Sequence, residues 1–368
     1  MRRRSMSTGA EGLAETAILL ANGLFETSWA KTAHGLVRGP SRYTILGVVD
    51  PGCAGADAGE LLDGRRRDIP VVSSVAEMLD NLAPPPDFCV VGIATEGGVI
   101  PAELRVSLLE AAAAGVSLVS GLHRFLADDA EIAAAAEASG ARILDIRKPR
   151  PTPDLHFWEG SIRRVRAPRV AVLGTDCGLG KRTTTALLLT GLRAAGIKAE
   201  MIYTGQTGWL SGQQHGFILD ATLNDFVSGE LERVIVDCDR EHQPDVILLE
   251  GQSALRNPSG PCGSELIISG AASGVVLQHA PGRVAFDGLE AMGALIPPLQ
   301  EEIELVRLLG SRVMALTLNH EGLTAPQYDE LRAELADRFD LPVVFPLLDG
   351  VERITDALVS HLDDLRTD

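Results

Sequence analysis

A chain of 368 residues and 39.0 kDa is too long for one ordinary core and suits two domains of roughly 150 to 200 residues each. Hydrophobic residues at 45% and charged residues at 23% exclude wholesale disorder, collagen and disulfide-scaffold classes. With 33 Lys+Arg against 50 Asp+Glu, the net charge of −17 weighs against nucleic acid and anionic membranes as partners.

The start, Arg2 to Arg4 followed by Ser, Thr, Gly and Glu, predicts a flexible segment over 1–13 with no signal peptide. No apolar stretch approaches the roughly 20 residues of a membrane helix. Next come apolar runs that read as buried strands: Thr16 to Ala21, Tyr43 to Asp50, Phe88 to Thr95, Val116 to Ser120 and Arg142 to Asp145. Between them, Ser74 to Leu82, Glu103 to Ala114 and Ala130 to Ala138 carry helical patterns. Alternating strand and helix predicts an α/β domain over 14–150 with a parallel sheet. In it, Asn22-Gly23-Leu24 follows the first strand without a Gly-x-Gly-x-x-Gly, and Asp50 ends a strand where ribose-binding acids sit.

The segment Lys148 to Pro153 (KPRPTP) breaks the pattern and reads as a linker. A second α/β domain follows over 151–362, with strands at Arg169 to Gly174, Ala199 to Thr204, Asp245 to Glu250, Gly274 to Gln278, Arg312 to Asn319 and Leu341 to Phe345. An acidic tail is expected at 363–368. The five cysteines, Cys53, Cys89, Cys177, Cys238 and Cys262, are scattered without a Cys-x-x-Cys pair. They signal neither disulfides nor zinc and fit a reducing cytoplasm, the expected location.

The main chemical signal is a strand running into Gly174-Thr175-Asp176-Cys177-Gly178-Leu179-Gly180-Lys181-Arg182-Thr183-Thr184 and then an Ala/Leu-rich helix. Backbone N–H groups of such a turn, with a helix N-terminus behind them, cradle phosphate, and Lys181 stands where a P-loop lysine reaches between phosphates. Five residues separate Gly174 from Gly180, one more than the usual P-loop has, and this longer form resembles the loop of dethiobiotin synthetases. Arg182 replaces the Ser or Thr that would hold magnesium; it adds charge and donors but cannot ligate a metal. Cys177 reads as a small filler of the cradle, and no resident metal is expected.

Three strand ends place polar groups at the sheet edge facing this loop: Gly205-Gln206-Thr207-Gly208, Glu250-Gly251-Gln252-Ser253 and Asn319-His320-Glu321-Gly322. Gln206, Thr207 and Gln252 are candidate substrate contacts. Glu250 offers a proton acceptor, an amine anchor or a metal ligand, and His320 a general base of suitable intrinsic pKa. Asn319 is similar to the adenine-reading asparagine of P-loop enzymes. His279 and Arg283, in His-Ala-Pro-Gly-Arg, are candidates for binding an acidic substrate.

Together, the Gly174 loop, Tyr203-Thr-Gly-Gln-Thr-Gly-Trp-Leu, Glu250-Gly-Gln-Ser, His279-Ala-Pro-Gly-Arg and Thr317-Leu-Asn-His-Glu-Gly resemble one family. It is the D-glutamate N-acetyltransferase family, long catalogued as a domain of unknown function. The resemblance implies a Rossmann-like domain followed by a P-loop domain and acetyl transfer from acetyl-CoA to the amine of D-glutamate. It also implies coenzyme phosphates on residues 174–184, adenine at Asn319, His320 or Glu250 as base, and Arg283 on a substrate carboxylate. A small-molecule substrate and a homo-oligomer are expected, with no nucleic acid and no membrane. Two alternatives stand: an ATP-dependent ligase or carboxylase of the dethiobiotin synthetase type, with Glu250 and Asp176 on magnesium, and a nucleotide-binding protein without turnover.

Overall fold

The computed structural model describes residues 15–362, so the flexible start expected at 1–13 and the acidic tail expected at 363–368 lie outside the described residues. Contacts divide the chain between Lys148 and Pro149, with Leu210–Gly212 grouped with the first unit.

The first unit holds β1 (Thr16–Leu20), β2 (Thr44–Val49), β3 (Val71–Val72), β4 (Phe88–Val91), β5 (Ser117–Ser120) and β6 (Ile143–Asp145). All pair in parallel in the order β3-β2-β1-β4-β5-β6, the doubly wound Rossmann order. Ile18, Leu19 and Leu20 are fully buried, as expected for a strand with helices on both faces. Helices Ala102–Ala113 and Ala130–Ser139 lie where the periodicity puts them. The sequence reading missed β3, because two residues carry no period.

The second unit holds β7 (Arg169–Gly174), β8 (Ala199–Tyr203), β9 (His215–Gly216), β10 (Val246–Glu250), β11 (Gly274–His279), β12 (Val313–Leu318) and β13 (Val343–Val344). They too are all parallel, in the order β13-β12-β11-β7-β10-β8-β9. Alternate residues serve opposite faces. Ala171, Leu173, Ile247, Leu249, Val275 and Leu277 pack with Leu231, Val234 and Ile235 of the helix Asn224–His242. Val170, Val172, Val246, Leu248 and Val276 pack with Leu188, Leu189 and Leu192 of the helix Lys181–Ala194. This two-sided burial explains why the central strands read as unbroken apolar runs. It also holds β7, β10 and β11 rigidly side by side, so the loops at their carboxyl ends start from fixed positions.

The Pro-rich segment begins at the division between the units and is fastened to the second. Arg150 pairs with the buried Glu230, whose Oε1 also accepts from the His156 backbone N–H at 3.0 Å. Two residues on, Glu232 accepts from the N–H groups of Glu159 and Ile162 at 2.7 and 3.0 Å. These carboxylates satisfy backbone donors of a stretch that has no ladder of its own. All five cysteines are free, and among the described residues no helix is long and apolar enough to cross a membrane.

Truncating a fully buried side chain in β10 tests this core. Leu249→Ala is expected to cost about 2–5 kcal/mol in urea denaturation, through lost burial and a residual cavity.

Candidate functional site

The loop after β7 is held from three sides. From β11, the Gln278 carbonyl accepts from Thr175 N–H at 2.9 Å, its side-chain Nε2 donates to Leu179 O at 2.6 Å, and its Oε1 accepts from Thr184 Oγ1 at 2.7 Å. From the end of β12, Asn319 Nδ2 donates to Leu179 O at 3.1 Å. From within, Lys181 Nζ donates to Asp176 O at 2.7 Å and across to Ser253 O, beyond β10, at 2.8 Å. Gly178 and Gly180 take φ of +65° and +97°, the left-handed region that lets the backbone curl without a Cβ penalty. Gly180, at the N-cap, brings no side chain to the first-turn N–H groups of the helix Lys181–Ala194, which is the arrangement that accepts an anion. The loop after β7 thus has the curled backbone and exposed helix N-terminus of a P-loop.

Two buried carboxylates flank the cradle and differ in their partners. Asp176, fully buried, accepts from Arg283 Nη1 at 3.0 Å, Asp287 N–H at 2.9 Å and Cys177 N–H at 2.6 Å, with Asn257 Nδ2 at 3.5 Å. Both its oxygens are spent on loop structure. Glu250, also buried, accepts from Thr204 N–H at 3.2 Å. Burial pushes its carboxyl up to about 7, opposed by that hydrogen bond and by the charges of Arg182 and Lys181. Lys181 is itself pulled down to about 8 by burial. Glu250 is thus a buried carboxylate whose desolvation is only partly offset by nearby cations.

Glu250 is surrounded by the segment after β8. Gly208 lies in the helical turn Gln206–Leu210, and a Cβ there would fall 2.9 Å from Glu250 Oε2 and 2.2 Å from the Tyr203 Cβ, so only glycine permits this approach. Gln252 Nε2 donates to the Thr204 carbonyl. Gln206 Oε1 is buried with no hydrogen-bond partner, and Thr207 belongs to the same turn. The structure brings Glu250, Gln206, Thr207 and Gln252 to one flank of the loop.

His320 lies on the other flank. With Gly178, Thr183, Thr184, Asn319 and Pro346 it lines a recess of about 120 Å³. β11 and β7 lie between β12 and β10, so three strand spacings, about 14 Å, separate the two candidate bases. His279 and Arg283, both expected as substrate contacts, already have partners within the chain. His279 is pulled down to about 4 by burial, and its Nδ1 pairs with Thr175 Oγ1 at 2.9 Å, so it braces the loop as a neutral ring. Arg283, expected as a carboxylate clamp for substrate, instead bonds Asp176, Cys177 O at 2.9 Å and Glu321 at 2.7 Å. In the first unit the Asp50 oxygens accept from the N–H groups of Gly23, Phe25 and Gly52 at 2.8–2.9 Å.

Gln278, which joins loop to helix, escaped the sequence reading. The signal was there, since a glutamine inside the apolar strand GVVLQH must have buried partners. A larger cavity, about 800 Å³ with Arg163, Arg166, Arg169 and Arg312 in its wall, lies at the opposite, amino-terminal edge of the sheet.

Residues 156–355 match the domain of unknown function described as the DUF1611_C P-loop domain, and residues 51–149 its Rossmann-like DUF1611_N counterpart. A D-glutamate N-acetyltransferase of Tritonibacter scottomollicae is 32% identical over 278 residues, 74% of this chain and 80% of the relative. One from a Pseudoalteromonas species is 30% identical over 273 residues, 72% and 79% of the two chains. A solved DUF1611 family protein from Anabaena variabilis superposes with a TM-score of 0.84 at 30% identity, covering 94% of this chain and 99% of its own.

Two pH dependences follow. A raised carboxyl pKa favours the protonated native state, so its stabilising contribution is full below the ordinary value of 4.5 and is lost as pH rises through about 7. Glu250→Gln, which mimics the protonated form, is expected to melt with wild type at pH 4.5. At pH 8 it should exceed wild type by up to about 3 kcal/mol, read by thermal denaturation across that range. Lys181 must be protonated to hold phosphate, so affinity for ADP is expected to fall about tenfold per pH unit above 8, measured by calorimetry.

Proposed function

The chain belongs to the DUF1611 family, and from that membership we propose that it is an N-acetyltransferase that moves an acetyl group from acetyl-CoA to the amine of D-glutamate. Two relatives at 30–32% identity carry the name of that activity. The observation that carries the reading is Glu250: a buried carboxylate at the end of β10, titrating near 7, beside the cations of a phosphate-binding loop.

Coenzyme A is a 3′-phosphorylated ADP derivative, and this loop suits its pyrophosphate. Residues 174–184 supply backbone donors, with Lys181 and Arg182 as counter-charges. The recess formed by Asn319, His320 and Pro346 lies on the flank of the nucleobase. Asn319 already uses Nδ2 on Leu179 O and Oδ1 on Glu321 N–H, and each atom keeps one further bond for adenine. The donor supplies an electrophilic thioester carbonyl, and no phosphoryl group moves. Arg182 in place of the magnesium-holding hydroxyl fits that chemistry, and so does the consumption of Asp176 by Arg283.

On the opposite flank, Glu250 acts as the base. An amino-acid ammonium must lose a proton before its nitrogen can attack, and Glu250 accepts it. The charges of Lys181 and Arg182 then favour the carboxylate that must be regenerated. Gln206, whose buried Oε1 has no protein partner, is placed to accept a substrate N–H, and Thr207 and Gln252 complete that wall. Acetyl transfer forms the N–C bond and breaks the C–S bond; of the two protons the nitrogen gives up, one passes by way of Glu250 to the departing thiolate and the other is released to water.

The test is release of free thiol from acetyl-CoA on adding D-glutamate, in the presence of EDTA. Glu250→Gln is expected to lower kcat by about 10²- to 10⁴-fold, with wild-type turnover rising with pH through about 7. His320→Ala should raise the KM for the coenzyme with little change in kcat. Release of ADP from ATP, dependent on Mg²⁺ and amine, would replace this reading with the ligase; binding without either product would leave a nucleotide-binding protein.

A further inference from the structure

At the far edge of the second sheet, three potential metal ligands converge from two elements that the sequence separates. His215 is in β9, the edge strand, and Glu241 and His242 end the helix Asn224–His242. One donor atom from each lies within 4.8 Å of the other two. His215 Nε2 stands 3.6 Å from Glu241 Oε2, and the two imidazoles meet edge to face at 5.0 Å between centroids. The His215 side chain is only 10% exposed, yet its Nε2 has no hydrogen-bond partner. Such an atom wants a ligand, because a buried polar group without one is destabilising.

The geometry points to a zinc-class divalent metal site formed by His215, Glu241 and His242, which clamps the β9 edge of the sheet to the end of the helix. Tetrahedral zinc with bonds of about 2.0–2.2 Å places neighbouring ligand atoms about 3.3–3.6 Å apart. The His215–Glu241 separation already has that value, and the remaining gaps close by about 1 Å at a helix end where Glu241 is exposed. The helix C-terminus adds a favourable negative field. Two imidazoles and a carboxylate without thiolate select a borderline divalent ion over magnesium or calcium. Glu200 Oε1, 4.0 Å from His242 Nδ1, or a water molecule completes the fourth position.

The site is independent of the acetyl-transfer reading and has its own consequence. β9 has two residues and is held to β8 through Ile202↔His215 and Tyr203↔Gly216. The chain between β8 and β9 carries the turn that approaches Glu250. A metal on His215 fixes the far end of that segment.

The experiment uses the full, untagged chain stripped with chelator and titrated with zinc chloride by calorimetry. One equivalent is expected to bind with micromolar or tighter affinity and to raise Tm, and cobalt in its place should give the visible absorption of a tetrahedral site. His242→Ala and Glu241→Gln, at the partly exposed helix end, should each weaken binding at least 100-fold, whereas His361→Ala should not. Should His215→Ala fail to fold, those two variants still decide the matter. No binding at 100 µM zinc, or binding unchanged in His242→Ala, would overturn the proposal.

Discussion

The buried ammonium of Lys181 ties the site together. It reaches the carbonyl of Asp176 in its own loop and that of Ser253 beyond the neighbouring strand, fastening the ends of β7 and β10 to each other. Burying a cation is unfavourable, and its lowered pKa expresses that cost. The cost is offset by two carbonyl hydrogen bonds and by the nearby Asp176 and Glu250. Everything else follows from where that charge sits. The loop curls around it through two left-handed glycines, the helix begins at it, and the carboxylate at the end of β10 titrates in its field.

The two carboxylates divide structure from chemistry. Asp176 is compensated by a guanidinium and by backbone donors, so it is inert and rigid. Glu250 has one N–H donor and two cations that do not neutralise its desolvation, so its proton is exchangeable near neutral pH. A fully paired carboxylate in that place would hold the fold as well and do nothing further. The same contrast separates the histidines. His279 braces the loop, His320 lines a recess beside it, and the His215 Nε2 makes no hydrogen bond but stands 3.6 Å from Glu241 Oε2.

The parallel sheet sets the spacing of the site. With β11 and β7 between them, the ends of β10 and β12 stand about 14 Å apart.

Much of this was legible in the sequence. Unbroken apolar runs such as Arg169–Gly174 and Val246–Glu250 announce strands buried on both faces, and glycines with a lysine between strand and helix announce the cradle, because these signals are local. The positions of Glu250 and Gln252 beside the loop were legible because a strand end in a parallel sheet is a predictable address. The partners of Arg283, His279 and Asp50 were not legible. Each depends on which carboxylate, hydroxyl or N–H group the fold brings within about 3 Å, across up to 107 residues of chain in the case of Arg283 and Asp176. The short strands β3 and β9 carry no periodicity, and His215 joins Glu241 and His242 only when the helix packs back beside that edge. The sequence by itself determined the two parallel sheets and the P-loop between strand and helix; tertiary structure alone decided which charges are paired and which stay available, because pairing depends on separation in space and not along the chain.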